Sequence, residues 1–470
     1  MRKMVQSKIV AAILTSTVLT GCATNLAPEH ARPEIPTAAE YPAEFANDKV
    51  PGQRATEIGW RTFFADQRLE ALVRQALERN RDLAISVAQI EEARGLYRIQ
   101  DADRMPTLGA SGDVTNSRAI GITGEPDVST RYSVGVGVTS FELDFWGRVK
   151  NLSEAARSQY LATEQAARAF RLALIRDVAS TYFAGREAEE RIKLAEATVK
   201  SRKDGLRIAK RRLDVGVTSA LDYRQAETLL TQAETELAAL KLARAQSNNY
   251  MAVLTGGPVA EPLPDAMTLA AQTQAPALAA GLPSDLMVAR PDILAAEEQL
   301  RAARANIGAA RAAFYPSISL TGNAGFGSTE LGDLFSGDAL GWSFGPSISL
   351  PIFDMGRREA NLDVAKAREV IQVATYERTV QGAFREVSDA LAGRRYYAEE
   401  VDSQRRGLEA TRQIARLARL RYQEGITSYL EVLDAERNLF AAEQALIQLQ
   451  RAQADNLVAL YIALGGGQMD

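Results

Sequence analysis

The sequence predicts an α+β membrane protein built as an internal two-fold repeat. Long α-helices join a transmembrane β-sheet that has four strands per chain and closes only when chains assemble. Three observations carry this expectation. Matching residues recur in order at an offset of 209 or 210. Two very long stretches of helix-forming residues contain no proline. Between them lie four segments where the hydrophobic period changes from 3.6 residues to 2.

The chain begins with Arg2, Lys3 and Lys8, an apolar run from Ile9 to Leu19, and the tetrad Leu19-Thr20-Gly21-Cys22. A basic start and an apolar core too short to span a bilayer describe a secretory signal peptide, residues 1–21. The tetrad resembles a bacterial lipobox. That makes Cys22 the lipidated, palmitate-bearing first residue of the mature chain; the plainer alternative is an incidental thiol. Ala23 stands where similar lipoproteins of the inner membrane keep an aspartate, so the resemblance implies sorting to the outer membrane. As Cys22 is the only cysteine, no disulfide is expected.

Composition excludes several functions. With 55 basic and 59 acidic residues the net charge is −4, which gives no footprint for nucleic acid. The one histidine, His30, lies in a proline-rich arm, so neither histidine catalysis nor a Cys/His metal site is supported. No cofactor is expected. No apolar run after the signal is long enough for a membrane helix, so membrane entry requires a barrel.

The duplication is read from matches of different character. Asp82-Leu83, Ala93-Arg94 and Met105-Pro106 recur as Asp292-Ile293, Ala303-Arg304 and Tyr315-Pro316. Gly147-Arg148 recurs as Gly356-Arg357, and Val215 to Asp222 recurs as Glu424 to Glu431. Chance resemblance between alanine-rich helices does not give these in order. The expected divisions are a lipid-anchored arm at 22–65, a first repeat at 66–257, a proline-rich equatorial linker at 258–287 and a second repeat at 288–470.

No proline occurs between Pro126 and Pro258 or after Pro351, and Ala, Leu, Glu, Arg and Gln dominate both regions. Helices are therefore predicted from about Val149 to Leu213 and from Arg358 to Glu424, roughly 95 Å each at 1.5 Å per residue. Each stops at a glycine, Gly216 or Gly425, and a second helix begins near Ala220 or Tyr429. Glycine supplies the left-handed residue that ends a helix, and the following Thr-Ser can cap the next. Each copy thus has a helical hairpin with an exposed tip. Shorter helices are expected at about Arg81 to Arg104 and Asp292 to Ala313.

Strands are predicted at about 107–117, 130–143, 316–327 and 341–350. In the second, Tyr132, Val134, Val136 and Val138 alternate with small or polar residues; in the fourth, Trp342, Phe344, Pro346, Ile348 and Leu350 do so. Each run approaches the ~9 to 11 residues that a tilted strand needs to cross hydrocarbon, and Phe141, Trp146, Phe314, Tyr315 and Phe353 gather at one end. A soluble sandwich would share the alternation alone. The segments Arg118 to Ser129 and Gly327 to Leu340 read as polar, glycine-rich exterior loops. Four strands cannot close a membrane barrel, so the chain must oligomerise. Two copies give eight strands and three give twelve; the wider ring is the one that leaves a channel.

This arrangement resembles the outer membrane factor family, the TolC and OprM type of efflux duct, across essentially the whole mature chain. The likeness rests on the lipobox, the duplication, the two hairpin tips, and the strand-to-helix junctions Phe145-Trp146-Gly147-Arg148 and Phe353-Asp354-Met355-Gly356-Arg357. It implies a homotrimer with a twelve-stranded outer-membrane barrel continued by a helical barrel across the periplasm. It also implies partners: a periplasmic adaptor protein, an inner-membrane transporter of RND type, and outer-membrane lipid.

By the same resemblance, Val215, Gly216, Thr218, Ser219, Gly425, Thr427 and Ser428 form the tips that meet the adaptor; the plain alternative is that they only end and cap helices. Asp222, Glu431 and Asp434 match positions facing inward near the periplasmic mouth, with Tyr429 and Arg437 beside them, and so make a candidate gate. Thr427 departs from the TolC type, which has a latching arginine there; Arg437 is the expected substitute. Symmetry-related carboxylates repel unless they are paired, so such a ring can be biased by protonation or by a partner.

The expected function is a passive exit duct for drugs or other toxic small molecules, driven by the inner-membrane pump. A duct for secreted protein is the alternative within the class. A structural, periplasm-spanning lipoprotein is the rival outside it. An enzyme is not expected, because the sequence offers no nucleophile and base pair, phosphate loop or metal spacing.

Overall fold

The computed structural model describes residues 25–34, 36–46, 52–120, 126–272, 276–279, 281 and 283–469. Cys22, proposed as the lipidation site, lies outside the described residues. The main elements in order are α1 (Gln67–Arg79), α2 (Arg81–Ala102), β1 (Leu108–Ile120), β2 (Pro126–Glu142), α3 (Arg148–Asp214) and α4 (Ala220–Leu254). The second copy supplies α5 (Pro291–Ala312), β3 (Ser317–Ser328), β4 (Leu340–Ser349), α6 (Arg357–Gln423) and α7 (Tyr429–Ala463).

The duplication is visible in lengths. Helices α2 and α5 both have 22 residues, α3 and α6 both 67, and α4 and α7 both 35. Among the described residues no helix is long and apolar enough to cross a membrane.

The four strands form one antiparallel sheet in the order β1-β2-β3-β4. The register gathers the apolar residues on one face. Val134 lies opposite Phe326 and Val136 opposite Ala324, while Trp342, Pro346 and Ile348 of β4 lie opposite Ala324, Leu320 and Ile318. The other face is small and polar: Ser343 donates to Asn323 at 2.9 Å and Ser117 meets Ser129 at 3.2 Å. Between Val138 and Phe141 two residues of β2, Thr139 and Ser140, oppose the single Thr321 of β3, and Ser140 takes a positive φ of 55°. This bulge returns Phe141 to the apolar face, opposite Leu320. At the β2–β3 seam, a Cβ on Gly325 would overlap the carbonyl of Val134, so only glycine lets the strands approach there.

One expectation is revised. Residues 118–120 and 126–129, read as exterior loop, continue the β1–β2 ladder through Arg118↔Val128 and Ile120↔Pro126. Ile120 and Val128 are good strand formers, and the ladder hydrogen bonds carry the polar Arg118 and Ser129 with them.

The chain divides into two compact units. One comprises residues 1–34, 89–164 and 295–377; the other comprises 35–88, 165–294 and 378–470. Both units draw on both sequence copies. In the first, Trp146 stacks on Tyr315 at 4.7 Å and donates from Nε1 to the Pro316 carbonyl at 2.8 Å, tying together two of the residues predicted to gather at one end of the strands. In the second, Phe63 stacks on the fully buried Tyr461 at 3.8 Å, and the Tyr461 hydroxyl donates to the Ile58 carbonyl at 2.5 Å.

Asp66 organises the same unit. Fully buried, it caps α1 by accepting from the Arg68 amide at 2.8 Å. It also takes the Tyr182 hydroxyl at 2.6 Å, the Met267 amide at 3.1 Å and the Gln272 amide nitrogen at 2.5 Å. A buried carboxylate needs that many donors.

Candidate functional site at the hairpin tips

Both tips end their long helix in the same way. Gly216 and Gly425 have φ of +74° and +72°. The Gly216 amide bonds the Leu213 carbonyl at 3.0 Å and the Val217 amide bonds Arg212 at 2.9 Å; Gly425 repeats this on Tyr422 at 3.1 Å and Ile426 on Arg421 at 2.8 Å. This is the paired-carbonyl stop that a left-handed glycine allows.

The two tips restart differently. Ser219 accepts from the Asp222 amide at 3.1 Å, while the Asp222 carboxylate accepts from the Ser219 amide at 3.3 Å and the Thr218 hydroxyl at 2.6 Å. That is a full capping box. Hydrogen bonding from Thr218 holds the Asp222 carboxyl below its ordinary range. In the second tip Ser428 makes no side-chain cap. The longer Glu431 side chain accepts from the Thr427 hydroxyl and from Arg421 at 2.8 Å. One extra methylene thus exchanges a backbone cap for an ion pair.

The remaining predicted residues lie just beyond. Asp434 pairs with Arg437 at 3.0 Å on the same face of α7, with both side chains about half exposed. Tyr429 packs its ring 5.0 Å from Tyr422 and its hydroxyl over Gly205 of α3. Burial, then the negative Glu436, push the Tyr429 phenol up. The structure therefore joins Thr218, Ser219 and Asp222 in one network, Thr427 and Glu431 in a second, and Asp434 with Arg437 in a third.

Sequence reasoning did not single out the contacts that fasten one hairpin to the other. Arg212 donates to the Tyr422 hydroxyl and lies 5.2 Å over its ring. Arg202 bonds Glu436 at 2.6 Å, and Arg419 bonds the other oxygen of Glu436 at 2.8 Å. Farther along, Arg191 joins Glu187, Glu236 and Gln444 across α3, α4 and α7. Around the tips Val215, Val217, Leu221 and Ile426 are 61–72 % exposed, an apolar rim on an otherwise charged end. Val215 was predicted there; Val217 and Ile426 are exposed on the tight turns and Leu221 on the first turn of α4.

Comparison with known proteins bears on this geometry. The sequence pattern of the family described as outer membrane efflux protein matches residues 72–257 and again 282–466, one match per copy. The toluene efflux pump outer membrane protein TtgC of Pseudomonas putida is 42 % identical over 459 residues, covering 97 % of this chain and 94 % of that protein. The cation efflux system protein CusC of Escherichia coli is 41 % identical over 450 residues, covering 96 % of each. The open-state crystal structure of the MtrE outer membrane channel of Neisseria gonorrhoeae superposes with a TM-score of 0.85 at 40 % identity, covering 95 % of this chain and 99 % of that one.

Proposed function

The chain belongs to the outer membrane efflux protein family and is an outer-membrane efflux channel rather than an enzyme, and from this premise we propose how it is assembled, gated and partnered. Three chains close their sheets into one twelve-stranded barrel. The duct is passive: an inner-membrane transporter of RND type supplies the energy, and a periplasmic adaptor grips the tips. The cargo is drugs or other toxic small molecules, and Cys22 carries the lipid anchor.

The observation that carries this reading is the open sheet. Edges β1 and β4 leave backbone groups unpaired, which lipid does not tolerate. A neighbouring copy satisfies them, and three copies make a ring wide enough to conduct. A passive duct also agrees with the relatives. One named for toluene and one named for a cation resemble the chain equally well, as expected if the pump selects the cargo.

The exposed rim of Val215, Val217, Leu221 and Ile426, beside Gly216, Thr218, Ser219, Gly425, Thr427 and Ser428, is the surface for the adaptor. The gate consists of Asp222, Tyr429, Glu431, Asp434 and Arg437, with Asp434 and Arg437 exposed enough to exchange partners with a neighbouring copy.

The test is single-channel conductance in planar bilayers, with the protein's mass measured in detergent. A trimer of small conductance that rises in Asp434→Ala supports both duct and gate. A conducting trimer indifferent to that substitution removes the gate. A monomer that never conducts overturns the assembly.

A further inference from the structure

We propose that His30 is a pH-sensitive fastener of the N-terminal arm: its neutral ring holds residues 25–34 on α5, and protonation releases them. Arg311 donates to the Leu26 carbonyl at 2.9 Å and Arg304 to the Ala31 carbonyl at 2.7 Å. A Cβ on Gly308 would come 2.8 Å from Ala27, so the arm lies directly on the helix. Its side-chain hold centres on Glu297, whose side chain is 3 % exposed. Glu297 meets His30 Nε2 at 3.2 Å, Arg32 Nε at 3.1 Å and Arg301 Nη2 at 2.7 Å.

The neighbours fix the tautomer. Arg304 Nη1 lies 3.2 Å from His30 Nδ1. A guanidinium can only donate, so Nδ1 offers its lone pair and the proton sits on Nε2, where it donates to Glu297. A second proton on Nδ1 would set donor against donor. The charged surroundings are Arg301, Arg304 and Glu297 on α5 and Arg32 on the arm, with Glu369 and Tyr376 of α6 behind Arg304 and Glu297. Burial, together with Arg301 and Arg304, outweighs the attraction of Glu297 and holds the imidazole below its ordinary value.

The sign follows. The released arm takes up a proton more readily than the docked arm, so docking weakens as pH falls through the free imidazole's range, about 6.5. The two copies differ here: Leu300 and Ile307 of α5 are buried, while α2, its counterpart in the first copy, buries no residue among those described.

His30 is the only histidine, so isotope-labelled full-length protein in detergent gives one imidazole resonance to titrate. The expected result is an Nε2–H tautomer titrating below 6.5. In parallel, Glu-specific protease cuts after Glu29 and Glu34 are followed from pH 7.5 to 5, with a reference peptide in the same tube correcting for the enzyme. Cleavage of the wild type should rise about threefold or more relative to the reference. His30→Gln, which keeps a donor near Nε2 and cannot titrate, should show no pH dependence at whatever level it starts. An Nδ1–H tautomer, titration at or above 6.5, flat wild-type cleavage, or an equal rise in His30→Gln would each overturn the proposal.

Discussion

Arg202 and Glu436, 234 positions apart, meet at 2.6 Å with side chains only 7 % and 16 % exposed. The pair joins the first hairpin to the second, and burial pulls the Arg202 guanidinium down from its ordinary value. Removing one partner leaves the other charge uncompensated. Glu436→Ala should therefore cost roughly 3 kcal/mol, whereas Arg202→Met with Glu436→Leu together should cost much less. Thermal unfolding of the four combinations tests this; additive losses would show that the two residues do not act as a pair.

Asp222 gives a pH prediction. Its carboxyl titrates below the ordinary 3.8 because Thr218 hydrogen-bonds the ionised form. A depressed carboxyl contributes stability above its free value and loses it as pH falls through the lower, bound value. Protection of the first tip from hydrogen exchange, corrected for the intrinsic rate, should thus fall below pH about 4, and Thr218→Val should shrink that pH-dependent loss. If the loss keeps its full size in the variant, the Thr218 hydroxyl is not what holds the carboxylate.

Two glycines of α6 should respond in opposite directions. A Cβ on Gly393 would overlap the Asn456 amide, which itself donates to the Ala390 carbonyl at 2.9 Å; Gly407 has open space around it. Gly393→Ala should destabilise by about 1–3 kcal/mol through overpacking. Gly407→Ala should stabilise by up to about 1 kcal/mol through reduced chain entropy. Melting curves with the same sign for both would refute the close crossing of α6 and α7.

Much of this architecture is legible in the sequence because its signals are periodic and doubled. The proline-free stretches became α3 and α6, the alternating runs became β1 to β4, and Gly216 and Gly425 ended their helices as glycine chemistry requires. The bulge at Ser140 was hidden, since alternation on both sides of it looks regular until the partner strand sets the count. The Ser219-Ala220-Leu221-Asp222 spacing was a readable capping signal that explains the local contacts of Asp222 whatever its part in a gate. Arg202 with Glu436, and His30 with Glu297, had no such signal. Charged residues are common on long helices, and only the fold brings partners more than two hundred positions apart into contact.

The seam between β2 and β3 joins two sequence copies within one chain, antiparallel like the hairpins on either side of it. A joint between β4 and the next chain's β1 would be the same kind of joint made without a peptide link. The closed ring would then hold six equivalent hairpins, fastened alternately by covalent continuity and by hydrogen bonding alone. Carrying both copies on one chain makes every second association step intramolecular, which has no concentration dependence. A ring drawn from six separate hairpins would need five encounters to be complete; drawn from three such sheets it needs two, and each unfinished piece exposes half as many adhesive edges per strand.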